Sequence, residues 1–268
     1  MAEERVPVLE TKSLGIQFGG LKAVNDVNIQ IYEGELIGLI GPNGAGKTTI
    51  FNLITGIYKP TTGSYILCGK RMNGLSTHQV VEAGIARTFQ NIRLFKKMTV
   101  LDNVRVAFNK DMKSNLFQSI ARTPFFWKEE EETTKKAMEL LKLFKLEEFA
   151  DQYAENLPYG KQRLLEIARA LATDMKLLLL DEPAAGMNPV ETAELKESIK
   201  MLREKFKIPI LLIEHDMSLV MSICERIYVL NFGEILATGL PEEIANNKEV
   251  IEAYLGKEDE DEGGKEDA

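Results

Sequence analysis

Along this chain the spacing of hydrophobic positions changes several times, and each change predicts an element. Up to Gln90 the pattern is β-rich: AVNDVNIQIYEGELIGLIG reads as two strands around a Glu33-Gly34 turn, and TTGSYILCGK as another between Gly63 and Gly69. One helix interrupts them, from Lys47 to about Thr55, and AGIARTFQN reads as a strand ending at Phe89. From Asn91 to Asn156 helical periodicity and charge dominate, as in WKEEEETTKKAMELLKLFKL, which predicts a helical insert. After Leu171 the pattern returns to short apolar runs: KLLLLDEP is a buried strand, Pro189 to about Lys205 a helix, IPILLIEHD a second buried strand and Met217 to about Cys224 a helix. Continuous apolar strands alternating with helices predict a parallel sheet covered on both faces. RIYVLNFGEILATG finishes the core as a hairpin turning at Phe232-Gly233.

One helix start breaks a rule. In NLPYGKQRLLEIARAL the residues Leu164, Leu165, Ile167, Ala168 and Leu171 recur at helical spacing, so a loop opens an amphipathic helix at Gly160. Its first turn carries Lys161 and Arg163 at the positive end of the helix dipole, where carboxylates are favoured. The pattern calls for a negative group at this point, or for two solvated cations.

Composition narrows the setting. At 268 residues and 44% hydrophobic content the chain can bury a sizeable core, as one α/β domain or a core plus a subdomain. Of the net charge of -8, GKEDEDEGGKEDA at the C-terminus supplies -5, seven acids against two lysines; it reads as a solvated, disordered tail. This balance does not suggest nucleic acid as a partner. The two cysteines, Cys68 and Cys224, lie far apart without metal-like spacing, which fits inert thiols in a reducing compartment. MAEERVPVLE lacks a signal core, and runs such as IPILLI are far short of a bilayer span, so any membrane association is expected to be peripheral, through a partner.

The chemistry concentrates at predicted strand ends. GLIGPNGAGKTTI follows a strand and opens a helix, matching the spacing Gly41-x-x-x-x-Gly46-Lys47-Thr48. Glycines let backbone N–H groups converge on phosphates, Lys47 neutralises the outer ones, and the Thr48 hydroxyl can ligate Mg²⁺. A second magnesium anchor is Asp181, at the end of a buried strand where ligands of open α/β sheets collect. Neighbouring side chains of an extended chain diverge, so Asp181 is assigned to the Mg²⁺ shell and Glu182 to the attacking water as general base. His215 ends the adjacent strand and is assigned to sense the γ-phosphate. Gln90, expected at a strand end, has an oxygen that can reach the metal or the water.

In this order the residues resemble the ATP-binding subunits of ABC transporters, over nearly the whole chain except the tail. The resemblance implies an ATP-hydrolysing enzyme of α/β fold: an ABC-type P-loop core, a mixed sheet with flanking helices plus an antiparallel β subdomain, and an inserted α-helical subdomain. It implies one domain over 1–256, with 1–90 and 172–256 forming the core and 91–171 the helical part, and a tail over 257–268. It implies ATP and Mg²⁺ as ligands. Gly41, Pro42, Asn43, Gly44, Ala45, Gly46, Lys47 and Thr48 look like the phosphate loop, with Thr49 beside it; Gln90 is similar to the Q-loop glutamine, Asp181 and Glu182 to the Walker B pair, and His215 to the switch histidine. Phe18 sits where the family has an aromatic that stacks on adenine, although an aromatic at a strand end is more often core.

NLPYGKQ resembles the signature loop, LSGGQ, which in the family faces ATP held by the opposite subunit of a head-to-tail dimer. Tyr159, Gly160 and Lys161 are then expected at a partner's ATP, and the partner is a second ABC ATPase, identical or different. Pro158 replaces the serine, Tyr159 replaces the first glycine, and Asn188 stands for the D-loop aspartate. Within the family the chain looks most like LivG-type subunits of branched-chain amino acid importers, acting on separate transmembrane subunits at the cytoplasmic face of the inner (plasma) membrane. Alternatives are a urea or amide importer, a soluble ABC ATPase clamp, and a nucleotide-binding module without hydrolysis. The clamp lacks its usual coiled coil, and intact Lys47, Glu182 and His215 oppose the last. Leu94, Phe95, Met98 and Val100 are an apolar cluster expected to receive a helix of the membrane subunit.

Overall fold

The computed structural model describes residues 5–111 and 123–255, so the acidic tail lies outside the described residues. In chain order the strands are β1 (Leu9–Phe18), β2 (Leu21–Val27), β3 (Gln30–Ile31), β4 (Leu36–Ile40), β5 (Thr62–Leu67), β6 (Lys70–Arg71), β7 (Ile85–Arg87), β8 (Leu177–Asp181), β9 (Ile210–Ile213), β10 (Arg226–Asn231) and β11 (Glu234–Gly239). The α-helices are α1 (Lys47–Ile54), α2 (Thr77–Ala83), α3 (Val100–Arg105), α4 (Pro124–Leu143), α5 (Tyr159–Leu171), α6 (Pro189–Phe206), α7 (Met217–Ile223), α8 (Pro241–Ala245) and α9 (Lys248–Leu255).

Two compact units emerge. Among the described residues the first comprises 5–87, 176–184 and 199–255. It holds a six-stranded sheet in the order β11-β10-β4-β9-β8-β7, parallel except for β11, and an antiparallel sheet in the order β2-β1-β5-β6 with β3 paired to β1. Every residue of β4, β8 and β9 is buried, which is why these strands read as unbroken apolar runs. One apolar cluster runs from Leu9 and Leu14 of β1 through Ile50 and Phe51 of α1 to Leu39 and Leu211 of the larger sheet, so the helix behind the glycine loop is clamped between both sheets.

Two expectations for this unit need correction. A second helix, α2, interrupts the β-rich region; it was missed because its seven residues bury only Val80, too little to show a period. Its signal is the Ser76/Gln79 capping box. Strand β7 ends at Arg87 rather than Phe89, so Gln90 lies in a bend beyond the sheet.

Among the described residues the second unit comprises 88–111, 123–175 and 185–198, the last a segment that the sequence pattern grouped with the core. Its centre is helical. Asn103 of α3 is fully buried because its amide closes the 95–99 loop, accepting from Phe95 N–H at 3.0 Å and donating to Phe95 O at 3.1 Å and Thr99 O at 2.9 Å. Val100 is also fully buried, which takes it out of the expected docking cluster, whereas Phe95 is exposed. Val100 packs inward because Thr99 caps α3 and its N–H donates to Gln152 O at 2.9 Å.

Candidate functional site

The glycine loop forms between the end of β4 and the first turn of α1. A Cβ on Gly41 would stand 2.0 Å from Leu230 O, and one on Gly46 (φ +106) 2.8 Å from Ala23 O, so no larger residue fits. At Gly44 (φ +78) the same atom would meet nothing within 4 Å: that stretch of backbone faces open space. Lys47 Nζ donates to Gly41 O at 2.6 Å and Pro42 O at 3.0 Å, holding the ammonium over the loop.

A cleft of about 490 Å³ opens here, a size typical of small-molecule sites. Asn43 through Thr49 form its floor and Glu182 one side. Leu21, Lys22 and Ala23 of β2 and Phe232 of the β10–β11 turn complete the wall, and sequence reasoning placed none of them at the site. Phe18 lies just before that β2 segment, half exposed, with its ring edge-on to Tyr58 at 5.2 Å. The aromatic at the strand end thus marked the hairpin but not the residues lining the cleft.

The two carboxylates have different surroundings, and the strand pleat is not the reason, since Glu182 lies past the end of β8. Asp181, the last residue of β8, is buried with its Oδ2 2.6 Å from Arg87 Nη2. Glu182 takes a left-handed backbone (φ +44) and reaches the cleft. Beyond β9, His215 Nδ1 stands 3.8 Å from Glu182 Oε2, with two-thirds of its side chain exposed. Glu214, just before His215, was also missed: Oε1 accepts Ala184 N–H at 2.9 Å and Oε2 accepts His215 N–H at 3.2 Å. Burial pushes the Glu214 carboxyl up, against the pull of these backbone donors and of His215. Its signal was an acid directly after a wholly apolar strand.

In the second unit, Gln90 O accepts from Arg163 Nη2 at 2.7 Å. The first turn of α5 corrects the reading of its cations. Arg163 is fully buried and meets no incoming anion; its Nη1 donates to Phe89 O at 2.6 Å and Glu166 Oε2 at 2.7 Å. Positions 163 and 166 share a helix face, and that face is turned inward. Lys161 pairs with Glu194 at 3.0 Å. The negative group at the helix start is Glu191, whose Oε1 accepts Gly160 N–H at 3.0 Å. Its Oε2 accepts Asn188 N–H at 3.1 Å, while Asn188 Oδ1 caps Val190 and Glu191. Tyr159 is partly exposed against Gly186.

The family profile described as "ABC transporter" matches residues 24–185, a span that holds the glycine loop, both carboxylates and the α5 start. The chain belongs to the ABC transporter ATP-binding family. A second profile of this ABC ATPase, "Branched-chain amino acid ATP-binding cassette transporter", matches residues 234–260. Among its relatives, the high-affinity branched-chain amino acid transport ATP-binding protein LivG of Escherichia coli (strain K12) is 51% identical over 251 residues, covering 94% of this chain and 98% of LivG. Of solved structures, the ADP conformation of an ATP-binding cassette of an ABC transporter superposes with a TM-score of 0.81 at 32% identity, covering 94% and 99% of the two chains. A dimeric post-hydrolysis cassette bound to ADP and Pi gives a TM-score of 0.72 at 27% identity, covering 87% and 98%. ABC ATPases bind ATP, and ATPase activity goes with the family. Among the described residues no helix is long and apolar enough to cross a membrane.

Proposed function

We propose that this ABC ATPase powers uptake of branched-chain amino acids through separate transmembrane subunits, seated peripherally at the cytoplasmic face of the plasma membrane. The observation that carries the catalytic part is the cleft that brings Glu182 to the glycine loop. The C-terminal profile over 234–260 and the likeness to LivG support the cargo class. Neither the urea or amide importer nor the soluble clamp is favoured by them.

In this reading the backbone of Gly41 to Gly46 wraps the ATP phosphates, and Lys47 turns from its loop carbonyls to neutralise them. Thr48 and Asp181 are hard oxygen donors of the kind Mg²⁺ takes beside phosphates; Thr49 lines the cleft beside Thr48, and Gln90 is assigned to the ion only by its likeness to the family's Q-loop glutamine. When bound, Mg²⁺ offsets charge on the transferred phosphoryl group. Glu182 accepts the proton of the attacking water, and His215 contacts the terminal phosphate. The α5 start, with Tyr159, Gly160 and Lys161, receives ATP held by a second cassette, identical or different, as the dimeric relative suggests. Glu191 then yields the Gly160 N–H to the phosphate. Pro158 offers neither hydroxyl nor N–H, so Gly160 and the helix amides carry that contact.

Affinity isolation of the chain from native membranes, followed by reconstitution in liposomes with the subunits it brings down, tests the reading. Membrane subunits should co-purify and the vesicles should take up leucine only with ATP and intact Lys47. Uptake of urea instead, or no membrane subunit, would contradict it.

A further inference from the structure

We propose that Arg87 is a positioning residue that sets the spacing between the two protein anchors of the magnesium site, Thr48 and Asp181. This rests on the ATP and Mg²⁺ reading above.

Arg87 ends β7, in register with Leu179 of β8; Asp181 lies two residues further along β8 and therefore on the same face of that strand. Its guanidinium is a two-pronged bridge. Nη2 donates to Asp181 Oδ2 at 2.6 Å, and Nη1 donates to Asn52 Oδ1 at 2.8 Å. Asn52 belongs to α1, one helical turn after Thr48, so the two share a helix face. The bridge thus ties the strand that carries one anchor to the helix that carries the other. Its surroundings hold it in place: the Arg87 side chain is 6% exposed, that of Asp181 8%, and the Phe51 ring lies 5.4 Å from the guanidinium carbon.

Stability alone is a poor reason for such an arrangement, because a buried ion pair does little better than apolar residues of similar volume. What the fork adds is geometry, since a planar guanidinium fixes two acceptors at a set distance and a lysine does not. It holds Asp181 through Oδ2. Magnesium demands near-ideal octahedral geometry, so a shift of β8 against α1 is felt by the metal before it is felt by the nucleotide.

The test measures Mn²⁺ affinity of the full chain with ADP, by electron paramagnetic resonance, and ADP affinity in EDTA. Arg87→Met should weaken Mn²⁺ by about 10- to 100-fold, the range for loss of a partner behind a metal ligand, with ADP affinity in EDTA within about twofold of wild type. Arg87→Lys, which keeps the charge and loses the fork, should fall with it. Asn52→Ala leaves the Arg87–Asp181 pair intact and should weaken Mn²⁺ in the same direction; it decides the matter if the Arg87 variants do not fold. Wild-type Mn²⁺ binding in Asn52→Ala or Arg87→Lys, or parallel loss of ADP binding in EDTA, overturns the proposal. If wild type with ADP binds Mn²⁺ no better than ADP alone, the magnesium reading itself fails.

Discussion

The Glu191 carboxylate sits at the N-termini of two helices at once, accepting the Gly160 N–H of α5 at 3.0 Å and the Asn188 N–H ahead of α6 at 3.1 Å. The charge that α5 attracts in the resting chain is therefore internal. In the proposed dimer the terminal phosphate of a partner's ATP takes the same N–H, so the two anions exclude each other there.

Glu191→Ala removes the carboxylate from the Gly160 N–H of α5 and from the Asn188 N–H, while Asn188 Oδ1 still caps α6. Loss of a cap costs about 0.5–2 kcal/mol, and urea unfolding of the variant should fall in or slightly above that range. An unfolding midpoint equal to wild type would mean that water replaces the carboxylate at no cost.

Gly160 and Glu191 should be strongly coupled. A Cβ on Gly160 would lie 2.8 Å from Glu191 Cγ and 2.9 Å from Oε1, so Gly160→Ala pushes the cap away and destabilises the wild-type chain. In a Glu191→Ala background that clash is gone, and the higher helix propensity of alanine should make the same change stabilising, by up to about 1 kcal/mol. A double-mutant cycle by urea unfolding reads this change of sign. Equal effects in both backgrounds would show that the two residues do not interact.

Glu214 gives a pH signature. Its folded pKa is raised, chiefly by burial, so the protonated acid favours folding below the ordinary glutamate value and that contribution is lost as pH rises through the folded value. On going from about pH 7 to about pH 5, wild type should therefore gain stability relative to Glu214→Gln. A difference that stays flat across this window would place the titration of Glu214 elsewhere.

The two thiols should separate under a thiol reagent. Cys224 is buried and pushed up to about 12, whereas Cys68 is exposed. At about pH 8 Ellman's reagent should titrate one thiol in the native chain and two after denaturation, because only the thiolate reacts. Two equal native reactions would contradict the packing of α7, to which Cys224 is the C-cap.

What was legible in the sequence follows from burial. Strands β4, β8 and β9 were readable because each is covered on both faces and so unbroken in hydrophobicity. The glycine loop was readable because its steric demands, such as Gly41 against Leu230 O, admit only one residue type. The fate of Arg163 was not: two of its partners, Phe89 O and Gln90 O, lie more than seventy positions away, and the local pair with Glu166 at i+3 is equally compatible with an exposed helix face. Glu191 was hidden for the same reason, since the helix it caps is built from a distant segment. The cleft wall at Leu21 to Ala23 and Phe232 depends on where hairpins lie against the loop, which no spacing encodes.

The central claim is that Glu182, brought to the glycine loop at the end of β8, is the base of an ATPase. Steady-state phosphate release by Glu182→Gln, alongside wild type and with the native partner cassette present, tests it most directly. The amide keeps the shape and cannot take the proton of the water, so turnover should fall by about 10² to 10⁴ while ATP binding is retained. Near-normal turnover in Glu182→Gln would contradict the account.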